Sequence, residues 1–349
     1  MCDSSLPKVL FIYNNMQARF VLQDLDGLRQ RFPVVEKQLS ARRLEPVSIW
    51  RAVNTNDVVF AWFASWHSFL PMLYARVLGK PSILVIGGYD VAKIPEIRYG
   101  HQCGGLKKWV SRATMRLARC LITNSHFSQA EANLNTGSFH RHLHVVYHGI
   151  PDQFGELTAK PRECMALTVG SVNMSTLSRK GIESFVRAAA LLPDVRFVVA
   201  GRCNDDSIER LRSVATANVE FTGWVDDLTL RKYYLRCSVY VQVSRHEGFS
   251  MSTAEAMLAG CIPVVTAAGA LPEVVGNCGV YCPSQEPTSV AAAIRQALES
   301  TEEARHNARE RVLTNFQPQV RADSIARIVA AAVPIMNSVS ANAPDHKRV

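Results

Sequence analysis

Short apolar runs at residues 8–13, 57–63, 82–86, 120–123 and 143–147 alternate with segments of helical periodicity, and a second series follows near 165–169, 196–200, 219–221, 239–243, 262–265 and 279–282. Runs this uniformly apolar suit strands buried on both faces, and the intervening lengths suit crossover helices. Each series therefore predicts a parallel sheet of βαβ units. The expected fold class is α/β, two Rossmann-like domains facing across a cleft that is the default binding site. Residues 149–162, rich in Gly and Pro, have the composition of a linker. The expected divisions are an N-terminal domain over 1–150, a C-terminal domain over 151–317, a closing helix over 318–336 and a disordered polar tail over 337–349. Amphipathic helices are expected near 302–314 and 318–335, with Ile325, Ile328 and Val329 on one face of the last.

Composition narrows the class. A chain of 349 residues with 48% hydrophobic content can bury two cores. It has no apolar run of about eighteen residues and so no expected membrane span. The N-terminus leads into a strand without the layout of a signal peptide, so the expected location is the cytoplasm. The nine Cys show no paired C-x2-C spacing and read as buried thiols, not a disulfide frame. Cys278 and Cys282 flank a strand on one face, but further ligands for a metal are not evident. Residues 1–150 hold 18 Lys and Arg against 9 Asp and Glu, and the remainder 21 against 21, so the whole net charge of +9 lies in the first part. That asymmetry suits an anionic partner: a nucleic acid, an anionic membrane surface with a lipid-linked acceptor, or nothing beyond a soluble basic surface. The membrane candidates are Arg42, Arg43, Lys107, Lys108 and Trp109, with Arg112, Arg116 and Arg119 near one face of a helix.

Residues 244–265 read Ser-Arg-His-Glu-Gly-Phe-Ser-Met-Ser-Thr-Ala-Glu-Ala-Met-Leu-Ala-Gly-Cys-Ile-Pro-Val-Val. A strand exit meets a Gly turn, then Ser residues able to cap a helix that should run to about Ala259 and stop at Gly260, then a further strand. Free N–H groups and partial positive charge at such a helix start attract phosphate. A carboxylate two turns into the helix, Glu255, can accept from two vicinal ribose hydroxyls, and one at the loop entrance, Glu247, can reach a sugar hydroxyl. The combination describes a nucleotide sugar, although Glu255 alone would pass for a helix-surface acid.

This stretch, E-G-F-S-M-S-T-A-E-A-M-L-A-G-C-I-P-V-V, resembles the Glu-x7-Glu signature of the retaining glycosyltransferases of family 4, which have the GT-B fold, E-G-F-G-x-x-x-x-E-A-M-A-x-G-x-P-V-V. Residues 269–275 continue the likeness, and it spans about residues 8 to 316. The resemblance implies that the final helix crosses back to the N-terminal domain. It implies donor contacts from Gly248, Phe249, Ser250 and Met251, and leaving-group stabilisation by Lys180 of the K-G element with Arg179 beside it. The family's usual Arg directly after the first Gly is Ser171 here, and Arg179 is the candidate substitute. Because cations prefer helix C-termini, a solvated basic cap at a helix start is the disfavoured reading of 178–181.

Phe221-Thr-Gly-Trp-Val225 resembles the base-binding F-x-G-x-V, making Gly223, Trp224 and Val225 donor candidates, with Trp224 open to a plain packing role. Arg202, after Gly201, is a second diphosphate candidate. Gly87-Gly88-Tyr89-Asp90 follows a buried strand. Many relatives have a His in this loop; it is absent, and Asp90 is the candidate substitute, as sugar or acceptor contact, against an Asx-turn role. The 13–17 loop also departs from the family's Gly-rich form. Trp66 and His67 are acceptor-side candidates, with core packing the commoner fate of such residues. His148-Gly149-Ile150 and Asn124-Ser125 resemble the family's N-G-I/V-D and T-x-S elements. The expected reaction is retaining transfer of a sugar from a nucleoside diphosphate sugar to an acceptor hydroxyl of a glycan or lipid-linked acceptor, with no metal and no further cofactor required and no nucleic-acid partner. A nucleotide-sugar epimerase of the same fold and a non-catalytic sugar-nucleotide binding protein are the alternatives.

Overall fold

The structure, a computed structural model, describes residues 6–14, 18–40, 45–137, 142–155, 157 and 162–333. Arg42 and Arg43, most of the 13–17 loop, part of the 149–162 linker and the tail lie outside the described residues. Two parallel sheets carry the fold. The first consists of β1 (Val9–Tyr13), β2 (Val34–Gln38), β3 (Val58–Trp62), β4 (Ser82–Ile86), β5 (Cys120–Thr123) and β6 (Leu143–Val145), in the order β2-β1-β3-β4-β5-β6. The second consists of β7 (Glu163–Val169), β8 (Arg196–Ala200), β9 (Val219–Gly223), β10 (Cys237–Gln242), β11 (Ile262–Val265) and β12 (Val280–Tyr281), in the order β12-β11-β10-β7-β8-β9. The two-sheet α/β architecture is the one expected. In the second sheet the order reverses between β7 and β10, the place where open α/β sheets bind ligands outside the strand C-termini.

The central strands are wholly buried because both faces are covered: Val9–Tyr13, Val58–Trp62, Ser82–Ile86 and Cys237–Gln242 have no exposed residue. Edge strand β2, Val-Val-Glu-Lys-Gln, was not expected from the apolar runs, and its exposed Glu36 and Gln38 explain why.

By packing, the chain forms two compact units. One comprises residues through Val85, Val110–Leu121 and the chain from Ala322; the other comprises Ile86–Trp109 and Ile122–Arg321. In the first unit, Trp62 donates to buried Asp24 at 3.1 Å. There the last helix, Pro318–Ala332, brings Asp323 to Arg31 at 2.5 Å and sets Ala322 so close to Gly27 that an added Cβ would lie 3.2 Å away.

Three local expectations change. Cys103, Cys164 and Cys203 are exposed, not buried, because they lie at a turn, near a strand start and in a loop; the eight described cysteines are free thiols. Arg119 is not on the helix of Arg112 and Arg116: that helix, Gly105–Leu117, ends first, and the Arg119 amide turns to the Ser82 carbonyl at the entry to β5. Among the described residues no helix is long and apolar enough to cross a membrane, and no group of three or more His, Cys, Asp or Glu is arranged to hold a metal ion.

Candidate active site

The second unit gathers most of the candidate residues at the β7/β10 switch point. β10 ends at Gln242, and a buried polar chain continues from it. The Tyr240 hydroxyl donates to Gln242 Oε1 at 3.0 Å and shares a hydrogen bond with the Ser252 hydroxyl at 2.8 Å, Gln242 donates to the Ser244 hydroxyl at 2.6 Å, and Ser244 donates to Glu247 Oε1 at 3.0 Å. Glu247 Oε1 also accepts from Gln242 and from Arg179, both at 3.3 Å. All three donors converge on one oxygen; Oε2 accepts from none of the described residues and is the atom available to a ligand hydroxyl.

Arg179 and Lys180 reach this point from β7. Their setting differs from the expected helix start: they occupy the last turn of the helix Met174–Lys180, and Gly181 at φ 69° ends it before the helix Ile182–Ala188. Cations at a helix C-terminus are stabilised by the dipole, so the dipole argument against a plain structural cap does not apply here. Burial carries the functional reading instead. Arg179 donates through Nη1 to the His246 carbonyl at 3.1 Å as well as to Glu247, and it is 9% exposed, a burial that ordinary surface cations do not reach. Lys180 Nζ lies over Gly170 with one long bond, 3.5 Å, to the Val169 carbonyl. Burial pushes its ammonium below the usual lysine range, Glu247 draws it back up, and Arg179 lowers it further. A buried and a half-buried cation side by side in sequence favour an incoming anion. At Gly181 a Cβ would lie 2.5 Å from the Val243 carbonyl oxygen, so this turn admits no side chain.

The helix Met251–Leu258 follows the loop. The expected serine cap is absent: Ser250 adopts φ 82°, which turns its hydroxyl to Thr253 Oγ1 at 2.8 Å, and no side chain caps the helix N-terminus. Glu255, half-buried in this helix, accepts from Tyr234 at 3.3 Å. Ahead of it, Gly248 and Gly88 meet backbone to backbone, a Cβ on either falling 2.9 Å from the other's Cα, while Ser125 donates to the Gly248 carbonyl at 2.8 Å.

A hollow of about 440 Å³ opens beyond the ends of β7 and β8, lined by Gly170, Ser171, Arg202, Asn204, Trp224 and Val225 among others. It brings the base-pocket candidates Trp224 and Val225 together with Arg202, the second diphosphate candidate; Trp224 is 65% exposed, which a packing role would not leave. Gly223 closes β9 at φ 66° and accepts the Gly201 amide at 2.9 Å. A larger hollow of about 580 Å³, lined by Asn277, Asn307, Glu310 and Arg311 among others, holds none of the candidate residues.

Residues 164–300 match the family described as Glycosyl transferases group 1. Over 290 residues the chain is 26% identical to the glycogen synthase of Mycobacterium tuberculosis, covering 77% of this chain and 70% of the relative. It is 29% identical over 143 residues to the O-antigen chain mannosyltransferase B of Escherichia coli, covering 38% and 36%. The solved structure of Anabaena Alr3699/HepE in complex with UDP and glucose superposes with a TM-score of 0.75 at 17% identity over 93% of this chain and 100% of that one. The sucrose-phosphate synthase of Thermosynechococcus elongatus gives 0.73 at 16% identity over 93% and 98%. The chain is a glycosyltransferase with the GT-B fold.

Not every candidate residue of the glycosyltransferase sits where a ligand would meet its side chain. The Phe249 ring is buried against His148, Tyr147 and Phe316, leaving only its backbone for a donor. Asp90 is 2% exposed and its Oδ2 accepts the Gly87 amide at 2.7 Å, the capping role weighed against substrate contact. Gly87 and Gly88 serve that cap and the contact with Gly248. His67 and Trp66 belong to the first unit. His67 is buried, its Nε2 lies 2.7 Å from the Trp62 carbonyl, and burial pushes it down to about 4, so it is a neutral core histidine.

Other residues were missed. His101 Nδ1 stands 3.8 Å from Asp90, so a histidine does reach the Gly87–Asp90 loop, from a turn eleven residues downstream that no local motif announces. His246 Nε2 pairs with Glu131 at 2.8 Å, and Tyr99 lies under Arg179. Gln242 lay inside the expected strand and Ser244 just after it, and both were legible only as its polar ending.

Proposed function

We propose that this glycosyltransferase moves a sugar from a nucleoside diphosphate sugar to an acceptor hydroxyl with retention at the anomeric carbon, in the synthesis of a cell-surface glycan or glycolipid. The observation that carries the reading is the buried Arg179–Glu247 pair beside Lys180, at the β7/β10 switch point and next to an uncapped helix start. In this mechanism Lys180, Arg179 and the amides of Gly248, Phe249, Ser250 and Met251 offset charge growing on the departing diphosphate. Glu255 holds the ribose. Glu247 Oε2 orients the transferred sugar, its other oxygen being fixed by Ser244, Gln242 and Arg179. The hollow takes the base against Trp224 and Val225, with Arg202 at its edge for the diphosphate. No side chain need act as nucleophile, since the leaving phosphate can take the acceptor proton on the attacked face. No metal is required on this reading, so turnover should survive a chelator; loss that Mg²⁺ or Mn²⁺ restores would overturn that part.

The relatives, a glycogen synthase and an O-antigen chain mannosyltransferase, favour a hexosyl donor. Thermal shift across UDP-, GDP- and ADP-sugars selects the donor, and mass analysis of products from labelled donor then tests the reaction. Sugar appearing on the acceptor supports transfer. Donor epimerised without acceptor, or donor bound and unchanged, would replace it with epimerisation or simple binding.

The proposal extends to an anionic membrane surface. The helix Gly105–Leu117 carries Lys107, Lys108, Arg112 and Arg116 together with Leu106, 65% exposed, and Trp109, 72% exposed, the mixture that interfacial helices present to a bilayer.

A further inference from the structure

The loop after β4 carries a tyrosine that the proposed chemistry has not yet used. Arg179 Cζ stands 4.7 Å from the centroid of the Tyr99 ring. That ring is itself held: Tyr89 meets it edge-on with centroids 5.0 Å apart, and His246 flanks it at 5.3 Å. Its backbone is pinned as well. Tyr99 and Ile94 exchange both N–H···O bonds at 3.0 Å around the turn Pro95–Ile97, and Gly100 follows at φ 100° with the Ala92 carbonyl so near that a Cβ would lie 2.0 Å from it. The guanidinium makes its hydrogen bonds through Nη1, while buried Nε has no hydrogen-bond partner among the described residues. Arg179 is therefore held from two directions, by Glu247 and the His246 carbonyl at its tip and by the face of the Tyr99 ring 4.7 Å from its Cζ. A stacked guanidinium keeps its full charge and needs no second carboxylate to hold it, which a phosphate-binding cation requires. Burial pushes the Tyr99 phenol up to about 12, so the ring stays neutral under the charge it supports.

We propose that Tyr99 is a positioning residue for glycosyl transfer, its ring holding the Arg179 guanidinium beside Glu247 where the donor diphosphate arrives. The inference rests on the reading of Arg179 as a diphosphate contact and deepens it. The test uses the full chain with Tyr99→Leu, Tyr99→Phe, Arg179→Met and the Tyr99→Leu/Arg179→Met double variant. Calorimetry measures binding of UDP, GDP and ADP, and turnover is followed with the donor that responds. Tyr99→Leu should weaken nucleoside diphosphate binding and kcat by about tenfold with acceptor KM unmoved. Tyr99→Phe, which keeps the ring, should rescue both. The double variant should bind no worse than Arg179→Met, since both changes remove one interaction. Multiplying losses in the double variant, wild-type binding in Tyr99→Leu, or failure of Tyr99→Phe to rescue would each overturn the inference. Wild-type protein that binds none of the three nucleotides would instead sink the donor reading. The platform then stands or falls on the Arg179 Nε–H resonance in a ¹H–¹⁵N spectrum. Ring current from Tyr99 should displace it in wild type and Tyr99→Phe, and Tyr99→Leu should release it; a resonance indifferent to Tyr99→Leu overturns the inference without any ligand.

Discussion

At the scale of single residues, the two candidate carboxylates differ in what already occupies their oxygens. Glu247 has one oxygen engaged by three donors, whereas Glu255 accepts from the Tyr234 hydroxyl. Glu255→Gln should therefore weaken donor binding by about tenfold or more, as for losing a charge-assisted hydrogen bond of roughly 1.5–3 kcal/mol, with the fold unchanged. Titration calorimetry decides it: donor affinity equal to wild type would remove Glu255 from the ribose. On the proposed mechanism Lys180 offsets charge on the leaving group, so Lys180→Ala should cost on the order of a hundredfold in turnover, and unchanged turnover would place it outside the chemistry. Away from the site, His67 links stability to acidity. Its folded pKa of about 4 lies below the unfolded value near 6.5, so the unfolded chain takes up the proton first. The stability at stake is intact above pH 6.5 and falls away toward pH 4, in all on the order of 3 kcal/mol. Chemical denaturation across that window should show a smaller decline for His67→Gln; an identical pH profile would show that His67 is not the group responsible.

At the scale of elements, the donor side is braced by a carboxylate that belongs to no chemistry. Glu273, at the start of the helix Leu271–Val275, accepts the amides of His126 and Phe127 at 2.8 and 2.7 Å and the Tyr147 hydroxyl at 2.8 Å, so it caps the helix His126–Thr136 from a distant segment. Glu273→Ala should strip three donors of their partner and cost about 1–3 kcal/mol of unfolding free energy, read from urea melts; a loss under a few tenths would mean water replaces it without penalty. This brace also marks how far sequence reading carries. Buried strands announce themselves as apolar runs, and every such run expected here became a strand, but β2 pairs at an edge with a half-polar sequence and gave no such signal. Glu247, Lys180 and Arg179 sit within motifs whose spacing is itself the chemistry, and so were legible. Tyr99, His101 and Glu131 reach the same region through turns and long connections, and their neighbours in sequence say nothing of their neighbours in space. The helix Met174–Lys180 was missed because Gly181 separates it from the next helix by a single left-handed residue, and the two read as one loop and one helix.

At the scale of the whole molecule, charge is unevenly spent: residues 1–150 carry the entire net +9. The helix Gly105–Leu117 concentrates part of that charge around exposed Leu106 and Trp109. Each Lys or Arg near an anionic bilayer contributes about 1 kcal/mol, an attraction that fades beyond a Debye length of about 8 Å in physiological salt. Sedimentation with liposomes should show binding that needs anionic lipid, falls with added salt and weakens several-fold for Lys107→Glu/Lys108→Glu/Trp109→Ala. Equal binding to neutral liposomes, or none to anionic ones, would point to a soluble acceptor. The back-to-back contact of Gly88 with Gly248 has a practical consequence for anyone recombining this enzyme with its relatives. The loop after β10 and the turn after β4 are a single inheritable cassette written in two places on the gene: a chimera that brings any residue but Gly to position 88 or 248 places a side chain where only a hydrogen fits, and crossovers that survive selection should keep Gly at both.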